Sequence, residues 1–261
     1  MARRSAVSYV FRMSQLAVPA PSPDWCLFLD VDGTLLDLSA IPSATFADAA
    51  LKSLLAAVAA RLGGAVALVS GRSIAYLDAL FEPLKLPVAG LHGVERRRAS
   101  GLTQGASYVD VRLDGARAAL SAFVEAHPGT LLEDKERSLA VHFRLVPELE
   151  PAVQALIGAV VLPLGSGYHV QAGSMVLEIK PLGFSKGTAV KEFMQEPPFS
   201  GRTPVFVGDD LTDEGGFRAV EILGGLSIAV GDRVSGQWHL DDPRAVRHWL
   251  ADIAALTDGG P

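Results

Sequence analysis

The segment Cys26-Leu27-Phe28-Leu29-Asp30-Val31-Asp32-Gly33-Thr34 constrains this chain more than any other. A short apolar run ends abruptly in two aspartates separated by one valine, then a glycine and a threonine. A run that is apolar on both faces predicts a strand buried inside a parallel sheet. Such a strand must stop where the charges begin, because unpaired carboxylates in a dry core are costly. Asp30 and Asp32 therefore belong at the carboxyl edge of a sheet, where open α/β folds bind their ligands. Residues i and i+2 of an extended segment point the same way. Two like charges that close require a cation between them or one carboxyl with a raised pKa.

The pattern recurs along the chain. After a loop around Pro42, apolar residues repeat at helical spacing over 46–62, and Gly63-Gly64 closes the helix. A buried strand at 65–69 ends in Ser70-Gly71-Arg72, a helix spans 74–81, and a short strand at 87–91 ends in His92-Gly93. This βαβαβ order predicts a parallel sheet with right-handed crossovers. Residues 94–107 are glycine-rich and charged, which suits an edge hairpin or linker, with Arg96-Arg97-Arg98 as a solvated turn or hairpin edge. A helix at 113–127 then leads to alternating segments at 130–135 and 138–144, a helix at 149–160, and alternating segments at 167–172 and 174–180. Period-two alternation predicts antiparallel, half-exposed strands. Buried character returns with a helix at 186–194, a strand at 204–207 ending in Gly208-Asp209-Asp210, a helix at 214–222, a strand at 226–230 and a helix at 246–256. The expected fold is α/β: a doubly wound parallel core over 24–105 and 183–261, with an inserted α+β (αββαββ) cap at 106–182 and a tail at 1–23.

With 261 residues, 49% hydrophobic and 20% charged, the chain can bury a sizeable core. Its net charge of −6 argues against nucleic acid as a partner, since phosphate backbones call for a basic face. The single cysteine, Cys26, excludes an internal disulfide. Arg12 and Gln15 interrupt any secretory apolar region, and the apolar window at 51–69 carries Lys52, Arg61 and two glycines, so no signal peptide and no membrane span is expected. A soluble cytoplasmic monomer is the simplest expectation.

The strand ends carry the chemistry. Asp209, Asp210 and Asp213 crowd beside one of them, and hard oxygen ligands at such density suit Mg²⁺, although one of the three also fits a helix cap. Lys186 opens a helix, where the macrodipole disfavours a cation unless an anion sits there. Taken alone, Lys186 reads as a solvated lysine. Ser70 reads either as a plain N-cap or as a hydroxyl cradling a phosphate oxygen.

Asp30-Val31-Asp32-Gly33-Thr34, Ser70-Gly71-Arg72, Lys186 and Gly208-Asp209-Asp210-Leu211-Thr212-Asp213-Glu214 resemble, in order, the four motifs of the haloacid dehalogenase (HAD) phosphatase superfamily. The segments Leu91-His92-Gly93, Glu133-Asp134-Lys135, His142-Phe143-Arg144 and Leu177-Glu178-Ile179-Lys180-Pro181 further resemble the trehalose-6-phosphate phosphatase family, over about residues 24–250. The resemblance implies a Mg²⁺-dependent phosphatase acting on a small sugar phosphate. Asp30 would be the nucleophile and Asp32 the general acid and base. Mg²⁺ would be held by Asp30, the backbone carbonyl of Asp32 and Asp209, with Asp213 in support. Ser70 and Lys186 would neutralise the phosphate oxygens, and Thr34, Gly71, Arg72 and His92 would complete the substrate site. Glu133, Lys135 and Glu178 of the cap would read sugar hydroxyls, and any one of them is equally a surface charge when taken alone. Gly215-Gly216 is a departure that weakens the following helix start and leaves the role of Glu214 open. Two alternatives remain: a phosphatase for another sugar phosphate (a sucrose 6-phosphate or mannosyl phosphate), and a non-catalytic, receiver-like phosphate sensor. A dinucleotide enzyme is disfavoured, since no Gly-x-Gly-x-x-Gly follows the first strand.

Overall fold

The computed structural model describes residues 18–38, 46–105, 111–135 and 137–257. Most of the tail, the loop around Pro42 and the start of the cap at 106 lie outside the described residues.

Buried strands β1 (Trp25–Leu29), β2 (Val66–Val69) and β3 (Val88–Gly90) alternate with helices α1 (Ala49–Arg61) and α2 (Ile74–Phe81). The chain then forms β4 (Glu95–Arg97) and β5 (Thr103–Gln104), which extend the same sheet antiparallel to β3. After a second unit at 113–181 come α5 (Lys186–Phe193), β10 (Thr203–Gly208), α6 (Glu214–Ile222), β11 (Leu226–Val230), β12 (Trp238–Leu240) and α7 (Pro243–Ala254). The eight-stranded sheet has the order β12-β11-β10-β1-β2-β3-β4-β5, and β1 pairs in parallel with both β10 and β2. Crossovers run one way from β1 and the other way from β10. The strand order therefore reverses between these two, and a cleft opens at their carboxyl ends.

Local chemistry sets the helix ends. Asp48 caps α1 through a bond from the Leu51 amide, 2.7 Å, and Ser73, not Ser70, caps α2. Ser185 and Thr188 form a capping box on α5. The doubled glycine does not prevent α6 from starting at Glu214. A Cβ on Gly216 would stand 2.4 Å from the Phe206 ring, so the missing side chain lets the helix lie on β10.

Two expectations are corrected. The triple arginine is not a solvated turn but runs along the hairpin edge, with Arg96 and Arg97 on β4: Arg96 is 5% exposed, pairs with Glu196 at 2.7 Å and lies over the Phe193 ring. Arg97 pairs with Asp78 at 2.8 Å, so the hairpin is tied to α5 and α2. Strand β12 was not expected; its three half-buried residues are too few to show alternation.

The second unit comprises α3 (Leu113–Ala126), β6 (Leu131–Asp134), β7 (Leu139–His142), α4 (Glu150–Val161), β8 (Tyr168–Gly173) and β9 (Val176–Pro181). Its four strands form a separate antiparallel sheet, order β6-β7-β9-β8, with its own apolar core around Leu120, Val141, Val153 and Ile179. The stretch Pro147–Gly167 has the length and apolar composition of a membrane span. It is broken into a short 3-10 turn, α4 and a second 3-10 segment bent at Gly165. At 12 residues, α4 is about 18 Å long, well short of a roughly 30 Å hydrocarbon core.

Candidate active site

The register of the second sheet decides which side chains face the core. Glu133 pairs with Ala140, Ala140 with Glu178, and Glu178 with Gln171. Directly paired residues share a face, so one row sets two carboxylates and an amide on the same side. Two residues along, Leu131, His142, Val176 and Gly173 form a second row on that side. The intervening residues, Val141 and Leu177 among them, turn to the helices and fill the apolar core. The polar face closes over the carboxyl edge of the main sheet and encloses a cleft of about 300 Å³, lined by Asp30, Ser70, Lys186 and Asp209 from below and by Glu133 and Glu178 from above. A larger cavity of about 980 Å³ beside α2 shares Arg72, Glu133 and Lys135 with it but holds none of the strand-end aspartates.

Asp30 is 5% exposed, and its amide continues the ladder to Val207. Lys186, 3% exposed, donates to Asp30 and to Asp213, 2.6 Å each, so its solvated reading is corrected. The anions that relieve its clash with the helix dipole are these two carboxylates. Asp213 also accepts the Asp209 and Asp210 amides, 3.0 Å each, and Asp210 caps the following turn through the Leu211 amide. Thr34 donates to Asp209 at 2.9 Å. Gly33 has φ +87°, and a Cβ there would lie 2.2 Å from Asp209, so only glycine lets that turn reach the acid. The oxygens of Asp30, Asp209 and Asp213 lie within 4.8 Å of one another, an all-oxygen donor set that fits a hard divalent cation.

Asp32 diverges from Asp30. Its carboxylate meets the Arg72 guanidinium in a fork of 2.8 and 2.9 Å, and Arg72 lies over the Tyr76 ring. The two aspartates thus each take their own cation. Ser70 is buried, and its hydroxyl accepts the Arg72 amide at 3.1 Å. Gly71 lies against the His92 ring, whose Nε2 is 3.2 Å from Glu178. Glu178 further accepts from Ser138 at 2.7 Å and has the Lys135 ammonium 3.5 Å away, while His142 meets Glu133 at 2.9 Å.

These contacts set the ionisation of the site. Burial, then the neighbouring Asp213, pushes the Asp30 carboxyl up to about 7 against the pull of Lys186. Burial alone would depress the Lys186 ammonium, but Asp213 and Asp30 outweigh it and hold the charge above its ordinary range. Burial would raise the Glu178 carboxyl, but Lys135, His92 and the Ser138 hydroxyl hold it well below the usual carboxylate range. Glu133 is lowered despite burial by the His142 bond and Lys135. The acids above the cleft are thus acceptors suited to hydroxyl donors, and below it Asp30 and Asp213 share one ammonium.

Against known proteins, the trehalose-phosphatase family model matches residues 28–248. The chain belongs to the trehalose-phosphatase family. It is 43% identical over 233 residues to the probable trehalose-phosphate phosphatase of Sinorhizobium fredii, covering 89% of this chain and 88% of that protein. It is 40% identical over 236 residues to the trehalose-6-phosphate phosphatase of Escherichia coli, covering 90% and 88%. Among solved structures, a trehalose-6-phosphate phosphatase related protein superposes with a TM-score of 0.75 at 27% identity, covering 88% of this chain and 96% of that one. A haloacid dehalogenase-like hydrolase from B. subtilis, 14% identical, shares the fold with a TM-score of 0.61, over 87% of this chain and 98% of that one. The expected α/β HAD fold is therefore the fold of this family member.

Every site residue singled out in the sequence lies in or against the cleft, including Glu133 and Glu178 from the second sheet and Lys135 just after β6. Arg233, Gln171 and Thr212 also line it and were missed. Arg233 could have been found by applying the strand-end rule to β11, three residues before it.

Proposed function

We propose that this protein hydrolyses trehalose 6-phosphate to trehalose and inorganic phosphate in trehalose biosynthesis. Its membership of the trehalose-phosphatase family gives the reaction class. The observation that carries the substrate is one cleft with two unlike walls: a buried acid–lysine cluster suited to a phosphate, and ionised Glu133 and Glu178 with Lys135 suited to sugar hydroxyls. In this reading Asp30 attacks phosphorus in line, and the bond from phosphorus to the sugar oxygen breaks as an aspartyl-phosphate forms. Asp32 gives the departing oxygen its proton, then takes one from the water that cleaves the intermediate. Lys186 and Ser70 hold the phosphate oxygens, and Arg72 keeps Asp32 oriented until substrate arrives. A Mg²⁺ ion held by Asp30, Asp209 and the Asp32 carbonyl, with Asp213 behind, would supply Lewis-acid charge neutralisation at the phosphate.

The division into tail, core and cap at 106–182 belongs to this proposal, as do a monomeric state and a cytoplasmic location. The separate sheets and separate apolar cores support the division. The receiver-like alternative is set aside, because the chain is a family member and carries Asp32 and a second polar wall.

Phosphate release from trehalose 6-phosphate with Mg²⁺, and its loss in EDTA, is the direct test. Equal rates on sucrose 6-phosphate, glucose 6-phosphate and trehalose 6-phosphate would overturn the sugar assignment. Glu178→Ala is expected to lower kcat/KM for trehalose 6-phosphate by about 10²-fold, and for p-nitrophenyl phosphate by far less. Equal losses on both substrates would show that the upper wall does not read the sugar. Cation binding requires deprotonated carboxylates. With the Asp30 carboxyl pushed up to about 7, Mg²⁺ is expected to raise Tm more at about pH 8 than at about pH 5. An equal rise at both would remove Asp30 from the ligand set.

A further inference from the structure

Arg233 belongs to none of the motifs above. It stands on the loop after β11, at the same carboxyl edge as Asp30 and Asp209, and lines the cleft. Its guanidinium pairs with the Asp209 carboxylate, with the two side chains 36% and 3% exposed. The charges around it make that pairing consequential. Asp30, Asp209 and Asp213 bring three carboxylates together. The one ammonium among them, Lys186, is spent on Asp30 and Asp213, 2.6 Å each. Asp209 is left with the Thr34 hydroxyl and, as its paired cation among the described residues, Arg233.

We propose that Arg233 is an internal counter-ion that competes with the divalent cation for Asp209. The proposal rests on the reading of Asp209 as a cation ligand. A guanidinium on the Asp209 carboxylate and a divalent ion among the same oxygens would set three positive charges within a few ångströms, in a site that water screens poorly. The two occupants therefore exclude one another. Without the ion, Arg233 spares the fold an uncompensated buried carboxylate; with it, Arg233 must swing off Asp209. Its partial exposure gives the guanidinium room to leave, whereas Lys186 is buried and pinned on both sides. Arg233 thus sets how tightly the site takes its cation.

The test is a Mn²⁺ titration of the full chain followed by the electron paramagnetic resonance signal of free Mn²⁺, on the wild type, R233Q, R233K and D209N. Removing the competing charge is expected to lower the Mn²⁺ Kd in R233Q by about tenfold. R233K keeps the charge and is expected to stay closer to the wild type, which separates competition from damage to the loop. Wild-type Mn²⁺ binding that is lost in D209N but equal or weaker in R233Q overturns the competition alone. A wild type that takes up no Mn²⁺, or a D209N protein that binds it as the wild type does, overturns the underlying assignment of the ligand as well.

Discussion

Asp30→Asn is expected to cut phosphate release by roughly 10⁴-fold or more while the protein stays folded. The amide keeps the size of the carboxyl and can still accept from Lys186, but it is not a nucleophile at phosphorus. The folded state should not suffer, and the pH dependence says why. The Asp30 carboxyl has an ordinary value of 3.8 and is pushed up to about 7 in the fold. A raised folded value means that the stability this group contributes is fully present below about pH 4 and is lost as pH rises through about 7. Above that, the native protein holds a buried charge that the unfolded chain would carry freely in water. Asn removes that loss. In EDTA, Asp30→Asn is expected to melt at the wild-type temperature near pH 4 and above it near pH 8. Retained turnover would remove Asp30 as the nucleophile, and a variant that melts lower at pH 8 would show that the carboxylate is held more favourably than burial implies.

Lys186→Ala carries the second large effect, on stability as well as on rate. One ammonium bridges Asp30 and Asp213, both buried. Deleting one member of a buried ionic network leaves the other charges uncompensated, a loss of about 3–5 kcal/mol. Part of that loss is expected to be recovered at low pH, where the two acids take up protons, and part by adding Mg²⁺, which meets the same carboxylates. Removing a preorganised cation from the phosphate oxygens is expected to cost a further 10²–10³-fold or so in kcat. Urea unfolding at pH 8 and pH 5, with and without Mg²⁺, reads the stability effect; equal midpoints for variant and wild type at pH 8 would sink it. The Ala variant is the cleaner probe, because an arginine has no room between acids 2.6 Å from the ammonium.

Much of the fold was legible because its signals are local. The run from Cys26 to Leu29 could only be a buried strand, and the helices at Ile74–Phe81 and Glu214–Ile222 fall where periodicity put them. Alternation in the second unit identified its strands, but it took the pairing register to put Glu133 and Glu178 off the apolar core. Less local features were not legible. Arg96 looked like part of a charged turn because its partner, Glu196, lies a hundred residues further along. β12 is an edge strand held by β11 rather than by its own pattern. Arg233 showed no spacing to any other charge, and only the fold brings it to Asp209.

The chain by itself determined which residues are driven inside and where strands must end, because burying an apolar side chain and stranding a charge are costs each residue meets wherever its neighbours come from. Those costs were enough to line up Asp30, Ser70, His92 and Asp209 along one sheet edge. Which charge neutralises which was decided only in three dimensions. Asp30 takes Lys186, Asp32 takes Arg72 and Asp209 takes Arg233, because a Coulomb interaction depends on distances of a few ångströms between groups that the sequence separates by tens of residues or more.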